Sequence, residues 1–464
     1  MRKTPTLLAL LALLLFLPLP ARADGGGPVP APPGLTATEV SFTGHGGLTL
    51  RGTVLKPPGT APRAGVVLVT GSGAGVPREH LRTEAVEFAR RGLAVLIYDK
   101  RSAGYTLFRR SYSELADDAL GGVRALRAQP GVDPAKVGVW GLSEGGWVAP
   151  LAASRSRDVA FVIVVGGNAM TPLRQQIWNE ASELRRAGVR GSLIDRGKHN
   201  FARLAGDIGL FAEAHHDAQG VLTRVRQPLL GVWGDRDLLT PPQENPPLFA
   251  RALRRGGNTH YTFRYFRDAD HGLHQTPDGG RTRGEALAPG YADLVAGWVR
   301  DVTSGRLPNA DAPTPPKQDH PTVAAPPSAW WEGKWAQLFA AVLFLVAFAA
   351  YPLTALARRV RGRRGVANGW ARTLAATGAV GFLGAFVYLF SLVMGKGTET
   401  GPLVFGRPLP WVLLQTTAVL AVIALVGTVL RWRREVPRGE RVRVGLLLVA
   451  GAVFVPWAFY WGLL

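Results

Sequence analysis

The sequence predicts an α/β sandwich with a mostly parallel sheet and a helical cap, followed by four transmembrane helices. Between residues 35 and 303, short runs rich in Val, Leu and Ile alternate with amphipathic stretches, as strand–helix units do. These runs are apolar at nearly every position, which is typical of strands covered on both faces. After residue 334 the chain contains four long runs without a formal charge, each long enough to cross a bilayer.

The first 23 residues predict a secretory signal peptide. Arg2 and Lys3 precede an apolar stretch from Leu7 to Leu19, and "ARA" at 21–23 is a small-x-small cleavage pattern. An uncleaved anchor is the alternative. Either segment would export the residues that follow.

The predicted sheet begins with an antiparallel hairpin over 40–57 that turns at Gly46 and Gly47. Six further strand candidates follow, at 64–71, 93–100, 136–143, 159–167, 227–234 and 261–266. Residues from about 168 to 226 contain no strand candidate, but 173–188 and 200–225 have helical patterns. This insertion predicts a helical cap over the carboxyl edge of the sheet; a helical layer with a packing role only is the alternative.

A Pro-rich stretch at 304–329 predicts a semi-rigid linker between this domain and a membrane domain at 335–464. The four uncharged runs of the membrane domain are 335–356, 373–394, 410–430 and 444–464. Spans without ionisable residues favour anchoring over transport, although a transporter with a soluble lid is an alternative. We expect Gln415, Thr416 and Thr417 to hydrogen-bond between helices.

The net charge of +21 is concentrated between the membrane spans. Two clusters, within 358–372 and 431–443, hold twelve arginines against two glutamates, which is nearly half of the total net charge. Positive charge between spans favours the cytoplasmic side, so we expect the α/β domain and the C-terminus outside and no nucleic-acid binding. The chain has no cysteine, which excludes disulfides and thiolate metal sites.

The stretch "GLSEGG" (141–146) places Ser143 between two glycines, after an apolar strand candidate and before a helical pattern. In a chain with 57 glycines the Gly-x-Ser-x-Gly pattern is weak by itself. Strand–turn–helix is, however, the context of a nucleophile elbow, in which a sharp turn lifts the serine above the sheet edge. Gly141 and Gly145 are expected there because a side chain would clash in so tight a turn. Ser143 is therefore the predicted nucleophile.

A serine nucleophile needs a general base oriented by a carboxylate, and both should follow later strands. "GDRD" after the 227–234 strand supplies Asp235 and Asp237, and we predict Asp237 as the acid because it lies further round the loop. "DHGL" after the last strand supplies His271, the predicted base, with His274 as its rival.

Acyl chemistry also needs backbone donors for the developing oxyanion. We predict the N–H of Glu144, which follows the nucleophile, and an N–H from the loop "TGSGAG" (70–75), first Ser72 and then Gly73. That loop lacks the Gly-Lys-Ser/Thr ending of a phosphate loop, so no nucleotide site is predicted. No cofactor or metal is predicted either.

The segments "GSGAG", "YDKRSAGY", "GLSEGGWVAPLAA", "GDRD" and "DHGL" together resemble the alpha/beta-hydrolase superfamily, in particular its bacterial serine aminopeptidase-like branch. The resemblance covers residues 38–303 and says nothing of the membrane domain. It implies a Ser143–Asp237–His271 triad that hydrolyses an ester, a thioester or an amide. Two positions depart from that branch: Thr70 replaces a histidine-like residue in the oxyanion loop, and Ser102 replaces a glycine.

The expected function is therefore a membrane-anchored, extracytoplasmic serine hydrolase that acts through an acyl-enzyme. Its expected partners are a small-molecule ester, thioester or amide and the membrane lipid, and a membrane-protein partner is left open. Esterase is favoured over aminopeptidase, which needs an acidic residue to hold the substrate ammonium; the candidates are Glu144, Glu180, Glu183 and Glu213. The alternative from another class is an inactive hydrolase fold that serves as a binding module beside a membrane partner.

Overall fold

The computed structural model describes residues 29–106, 108–362, 369–395, 400–436 and 441–464. The predicted signal peptide at 1–23 lies outside these residues and stays a prediction.

Eight strands form one sheet in the spatial order β1-β2-β4-β3-β5-β6-β7-β8. Only β1 and β2 run antiparallel to their neighbours; the other pairs are parallel. The strands are β1 Thr36–Thr43, β2 Thr49–Lys56, β3 Arg63–Val69, β4 Ala94–Tyr98, β5 Val132–Leu142, β6 Val162–Val165, β7 Leu229–Gly234 and β8 Tyr261–Phe266. The predicted α/β sandwich with a mostly parallel sheet is confirmed, including the opening hairpin at Gly46 and Gly47.

Helices cover both faces of the sheet, since each strand alternates its side chains between two apolar clusters. Val67 and Val69 of β3 pack under one layer, whereas Val66 and Leu68 pack under the other. The first layer consists of α2 Tyr112–Arg127, α3 Gly145–Arg155, α6 Ala218–Leu222 and α7 Asn245–Arg255; the second consists of α1 Arg82–Arg90 and α8 Tyr291–Thr303. This double cover explains why the central strands are apolar at every position.

The insertion after β6 is helical, but it is less regular than its pattern predicts. It contains α4 Pro172–Arg186, a π-helical turn Leu193–Lys198 and α5 His199–Asp207. The predicted helical stretch at 200–225 is wrong in its middle, because the chain leaves the helix at Gly209, whose φ is +77°. The N–H groups of Leu210 and Phe211 both donate to the Ala205 carbonyl and so close the helix end.

The Pro-rich stretch lies extended against the α/β domain. The Phe263 N–H of β8 donates to the Asp311 carbonyl at 2.8 Å, and the Asp311 N–H returns a bond to Tyr261 at 3.0 Å. Further along, the Glu244 carboxylate accepts from the Thr322 N–H at 2.8 Å. The stretch is therefore fixed to the domain by hydrogen bonds at two places.

Four helices follow: α9 Lys334–Val360, α10 Gly369–Met394, α11 Leu409–Glu435 and α12 Arg441–Trp461. Each contains 21 to 25 residues apolar enough to cross a membrane. Between α10 and α11, the short strands Leu403–Val404 and Arg407–Pro408 form a two-stranded ribbon. Four candidate membrane helices thus follow the α/β domain, as the sequence predicts.

The insertion after β6 docks onto the end of this bundle where α10 and α12 finish and α11 begins. Leu184, Val189 and Ile194 share an apolar cluster with Leu389 and Trp411 of the bundle. Hydrogen bonds reinforce the contact: the Ser192 hydroxyl donates to the Gly462 carbonyl at 2.6 Å, and the Asn200 amide donates to the Tyr460 carbonyl at 2.6 Å. The opposite end of the bundle is formed where α9 and α11 finish and α10 and α12 begin, and it contains Arg361, Arg372, Arg431 and Arg441.

The expectation of hydrogen bonds between helices is met by Gln415. Its side-chain amide donates to the Gly462 carbonyl and to the Ser192 hydroxyl, each at 3.2 Å. The expectation is wrong for Thr416 and Thr417. Their hydroxyls donate to the carbonyls of Val412 and Leu413, four residues back in the same helix, at 2.9 and 2.8 Å.

Candidate active site

Ser143 lies on a sharp turn between β5 and α3. Its φ is +56°, a conformation that a residue with a side chain rarely adopts. The turn is held because the Ser143 N–H donates to the Val165 carbonyl at the end of β6, at 3.0 Å, and the Gly146 N–H donates to the Ser143 carbonyl at 2.8 Å. The strained backbone is the geometry that lifts a hydroxyl above the sheet edge.

The two glycines of the motif are required by close backbone contacts. A Cβ on Gly141 would overlap the Gly145 carbonyl, and a Cβ on Gly145 would overlap the Val69 carbonyl of β3. The clash expected from the sequence is therefore present at both positions.

His271 and Asp237 meet at the same edge of the sheet, in the loops that follow β8 and β7. The imidazole Nδ1 lies 2.8 Å from Asp237 Oδ2, and both side chains are buried. A carboxylate can only accept, so in the neutral ring the proton is on Nδ1 and the lone pair is on Nε2. Among the residues that the structure describes, His271 Nε2 has no hydrogen-bond partner.

Asp237 is itself fixed by its own loop. Its Oδ1 accepts from the N–H groups of Leu239 and Thr240 at 2.8 and 2.9 Å, and its Oδ2 accepts from the Thr240 hydroxyl at 2.5 Å. Asp235, the other aspartate of the motif, lies instead beside Arg236, with Oδ1 3.6 Å from the guanidinium.

Gly166 connects the two halves of the site. Its predecessor Val165 accepts the hydrogen bond from Ser143, and a Cβ on Gly166 would lie 2.6 Å from the His271 ring. Its φ of +54° also favours glycine. Ser143 and His271 therefore both contact the short segment formed by Val165 and Gly166. No hydrogen bond joins them in the described residues, and such bonds commonly tighten only with substrate bound.

His274, the rival base, has a different role. Its Nε2 lies 3.1 Å from Glu84 Oε1 and its Nδ1 lies 2.9 Å from the Gly284 carbonyl. Both partners are acceptors only, so this geometry suits a doubly protonated ring. Burial alone would lower the pKa of His274, but the hydrogen bond and charge of Glu84 outweigh it and raise the pKa above 6.5. Both nitrogens are thus engaged away from Asp237.

The loop predicted to supply oxyanion donors, residues 70–75, lies directly against Ser143. A Cβ on Gly71 would be 3.3 Å from the Ser143 Cβ. The Gly73 N–H donates to the Tyr105 hydroxyl at 3.2 Å, whereas the N–H groups of Ser72 and Glu144 make no hydrogen bond within the described residues. Ser102, which stands where the related branch has glycine, does not require a glycine conformation, because the positive φ in this loop is that of Gly104.

A buried ionic cluster under the elbow escaped the sequence reasoning. The Glu144 side chain is fully buried, and its Oε1 lies 2.5 Å from the Lys100 ammonium. Its Oε2 lies 3.0 Å from Arg110 and 2.9 Å from the Tyr105 hydroxyl. Lys100 also donates to the Gly71 carbonyl at 2.7 Å. The motif "YDKRSAGY" thus contributes Lys100 and Tyr105 to a network that joins the elbow to the oxyanion loop.

The four candidate ammonium-binding glutamates have different environments. The Glu144 carboxylate has both oxygens engaged inside the protein. Glu180 pairs with Lys198 at 2.7 Å, and Glu213 accepts from the Tyr112 N–H at 2.9 Å. Glu183 lines a cavity that also reaches His271. No cluster of three or more His, Asp or Glu that could hold a metal occurs within the described ranges.

The structure thus brings the three predicted site residues to one edge of a mostly parallel sheet. Comparisons with known proteins identify relatives of this domain. Residues 80–286 match the model of the prolyl oligopeptidase family, a stretch that contains Ser143, Asp237 and His271. The domain has the alpha/beta-hydrolase fold. We refer to residues 35–303 as the hydrolase domain and to residues 168–226 as the cap.

Two curated proteins are similar to part of the chain. A polyketide transferase of Penicillium crustosum is 35% identical over 133 residues, 28% of this chain and 43% of that protein. A thiohydrolase of Aspergillus aculeatus is 33% identical over 135 residues, 28% of this chain and 41% of that protein. The chain therefore spans less than half the length of these relatives.

Solved structures also resemble the hydrolase domain. The acylaminoacyl peptidase of Pyrococcus horikoshii aligns with a TM-score of 0.38 and 20% identity, covering 51% of this chain and 38% of that one. A puromycin-hydrolysing peptidase of Mycobacterium tuberculosis aligns with a TM-score of 0.39 and 22% identity, covering 51% of this chain and 36% of that one.

The buried cluster predicts a large stability effect for Lys100→Met. Removing one partner of a buried pair leaves the other charge uncompensated; with Arg110 still present we expect a cost of about 3 kcal/mol. The thermal transition of the hydrolase domain should fall by roughly 5 °C in detergent. The matched control is Lys136→Met, whose exposed ammonium pairs with Asp133 at 3.0 Å; it should shift the transition by less than about 2 °C. Equal shifts in the two variants would contradict the prediction.

The His274–Glu84 pair predicts a pH-dependent stability. Because the folded-state pKa of His274 is raised above 6.5, its contribution is complete below the unfolded pKa and is lost as pH rises through the folded value. The melting temperature should therefore decline as pH rises above about 6.5, and His274→Gln should flatten that decline. His45→Gln changes a half-exposed histidine and should leave the decline intact. A wild-type profile that rises across this range would refute the assignment.

Proposed function

We propose that the hydrolase domain is a serine hydrolase that works through an acyl-enzyme, with Ser143, His271 and Asp237 as its triad. The observation that carries this proposal is the buried His271–Asp237 pair, 2.8 Å apart, whose Nε2 has no hydrogen-bond partner in the described residues. The His271 ring lies against Gly166, the residue after the Val165 carbonyl that binds the Ser143 N–H. Ser143 attacks the substrate carbonyl while His271 Nε2 takes its proton. Asp237 holds the imidazole in this tautomer and stabilises the imidazolium that forms.

The N–H groups of Glu144 and Ser72 are the proposed oxyanion donors. In a trans peptide the C=O and N–H point in opposite directions, so the bond from Lys100 to the Gly71 carbonyl turns the Ser72 N–H away from the buried cluster. The bond from Gly73 to Tyr105 engages the other candidate donor, which favours Ser72 over Gly73. Both proposed donors are held by the same cluster before substrate binds, as electrostatic stabilisation requires.

We favour an ester or thioester over an N-terminal peptide as substrate. An aminopeptidase needs a free carboxylate near the nucleophile, and the Glu144 carboxylate is occupied by Lys100, Arg110 and Tyr105. The other three candidates, Glu180, Glu183 and Glu213, have partners as well. The similarity of this part of the chain to a thiohydrolase supports acyl cleavage of this kind. No observation favours the inactive binding module over the enzyme.

The proposed placement of the hydrolase domain is extracytoplasmic, with the C-terminus on the same side. The cap packs on the bundle end that contains Gly462, whereas Arg361, Arg372, Arg431 and Arg441 lie at the other end. Positive charge favours the cytoplasmic side, so the cap and the hydrolase domain would face outwards.

Labelling with a fluorophosphonate probe tests the triad. We expect wild-type protein to react, Ser143→Ala to lose labelling, and His271→Ala and Asp237→Asn to react about 10³- to 10⁴-fold more slowly. The matched controls Ser102→Ala, an exposed serine, and His45→Gln, a half-exposed histidine, should label like wild type. A folded wild-type protein that does not label would instead support the binding module.

Single-cysteine variants test the topology without background, since the natural chain has no cysteine. Ser304→Cys lies at the end of α8 and Arg361→Cys just past the end of α9, and both positions are exposed. A membrane-impermeant maleimide should modify Ser304→Cys in right-side-out vesicles and Arg361→Cys only in inverted ones. The reverse pattern would overturn the extracytoplasmic placement.

A further inference from the structure

A cavity of about 1090 Å³ extends from His271 of the candidate active site to the membrane bundle. His271 and Asp270 line one side, and Leu392 and Val393 of α10 line another. The cap contributes Leu184 from α4. The membrane domain therefore supplies part of the wall of the space next to the proposed catalytic histidine.

This part of α10 lies at the membrane boundary. The apolar span of the helix ends at Val393. At the start of the neighbouring span α9, Trp330 is 88% exposed and Trp335 is 72% exposed. Exposed tryptophans at the end of a span are typical of the interfacial belt of a membrane. The cavity is thus at the level of the lipid headgroups.

Docking of the cap fixes the cavity in this position. The Ser192 and Asn200 side chains bond to the carbonyls of Gly462 and Tyr460, and the Arg190 N–H donates to the Gly406 carbonyl at 2.7 Å. Because the cap is bound to the end of the bundle at several points, the mouth of the cavity stays beside the membrane.

The lining of the cavity combines apolar, basic and acidic side chains, with four basic residues and the carboxylates of Glu180, Glu183 and Asp270. Lys198 is paired with Glu180 and Arg283 with Asp270, each at 2.7 Å. The remaining basic side chains are those of Arg186 and Arg281. Neither side chain makes a hydrogen bond or an ion pair within 4 Å in the part of the chain that the structure describes.

The positive charges of Arg186 and Arg281 repel each other across the cavity. Burial lowers the pKa of the Arg186 guanidinium, Glu183 and Asp319 raise it, and Arg281 lowers it again by repulsion. An anionic group bound between Arg186 and Arg281 would offset both the burial and the repulsion.

We propose that the substrate is a membrane-resident acyl ester with an anionic headgroup, drawn from the leaflet that faces the hydrolase domain. The acyl chain would lie along Leu184, Leu239 and Val393, and the headgroup would bind at Arg186 and Arg281. This inference rests on the proposed serine hydrolase function and names its substrate class. The α10 span then forms part of the substrate site in addition to anchoring the domain.

The proposed reaction uses the triad as described. Ser143 Oγ bonds to the ester carbonyl carbon, and the ester C–O bond breaks. The leaving alcohol takes the proton that His271 removed from Ser143. Water then hydrolyses the acyl-enzyme, which releases the acid and returns the proton to Ser143 through His271.

The first experiment uses the full chain reconstituted in phosphatidylcholine vesicles in which about a quarter of the lipid is phosphatidylglycerol. Release of fatty acid from the lipids is compared with hydrolysis of soluble p-nitrophenyl butyrate. Val393→Trp narrows the membrane side of the cavity and should lower lipid hydrolysis at least about tenfold relative to butyrate hydrolysis. The matched control Val387→Trp, a 68% exposed position on the same helix, should leave both rates unchanged.

The second experiment tests the headgroup. The double variant Arg186→Gln with Arg281→Gln should lower hydrolysis of phosphatidylglycerol about tenfold relative to phosphatidylcholine. Arg251→Gln, an exposed arginine on α7, is the control and should keep the wild-type preference. Equal loss on both lipids would overturn the assignment of an anionic headgroup.

A water-soluble dibutyryl phosphatidylglycerol distinguishes a membrane source from a dissolved one. Equal rates on the soluble lipid and on vesicle lipid would overturn the membrane source. Hydrolysis of butyrate without any hydrolysis of lipid would overturn this inference and leave the serine hydrolase standing. Absence of both activities together with absence of probe labelling would overturn the proposed function itself.

Discussion

The arrangement around Ser143 depends on one buried carboxylate. Glu144 directly follows Ser143, the proposed nucleophile, and its side chain is fully removed from solvent. A buried charge of this kind is tolerated only when cations and donors neutralise it, and here Lys100, Arg110 and Tyr105 do so. Each of these partners comes from the segment after β4. Because these partners neutralise Glu144, the segment after β4 is fixed under the turn at Ser143.

The same cluster extends to the oxyanion loop, because Lys100 also binds the Gly71 carbonyl and Tyr105 accepts from the Gly73 N–H. Three loops from the ends of β3, β4 and β5 are thereby joined through polar contacts. Glycines permit the close backbone approach that this needs: Gly141 lets β5 and α3 meet, Gly145 lets α3 approach the end of β3, and Gly166 leaves space for the His271 ring. The site is consequently organised before any substrate arrives.

Much of the hydrolase domain could be predicted from the sequence because its signals are local. Continuous apolar runs mark strands that are buried on both faces, and the order serine, acid, histidine follows from the topology of parallel strands. The position of Asp237 beside His271 illustrates this, since both residues follow strands whose carboxyl ends share one edge. The sequence does not predict the cluster at Glu144, because its partners are 34 to 44 residues away in the chain. They are a lysine, a tyrosine and an arginine, which are residue types commonly found at the surface.

The contact between the cap and the membrane bundle could not be predicted for a related reason. Ser192 bonds to Gly462 across 270 residues, and nothing in the local pattern around either residue indicates a partner. The helical signal over 200–225 also failed locally, where Gly209 ends α5 and frees the chain to turn. These long-range contacts are the ones that bring α10 beside His271.

An anchor alone requires only spans of sufficient length and apolarity, and one helix would be enough to hold a domain at a membrane. This chain instead has four, with polar groups at the end of the bundle that bond to the cap: Gln415 and Trp411 both donate to the Ser192 hydroxyl, at 3.2 Å each. Polar contacts of that type fix one orientation, which tethering does not need. A fixed orientation matters only if the position of the active site relative to the bilayer affects its chemistry. The geometry is therefore better explained by a substrate that reaches His271 from the membrane than by one that arrives from solution.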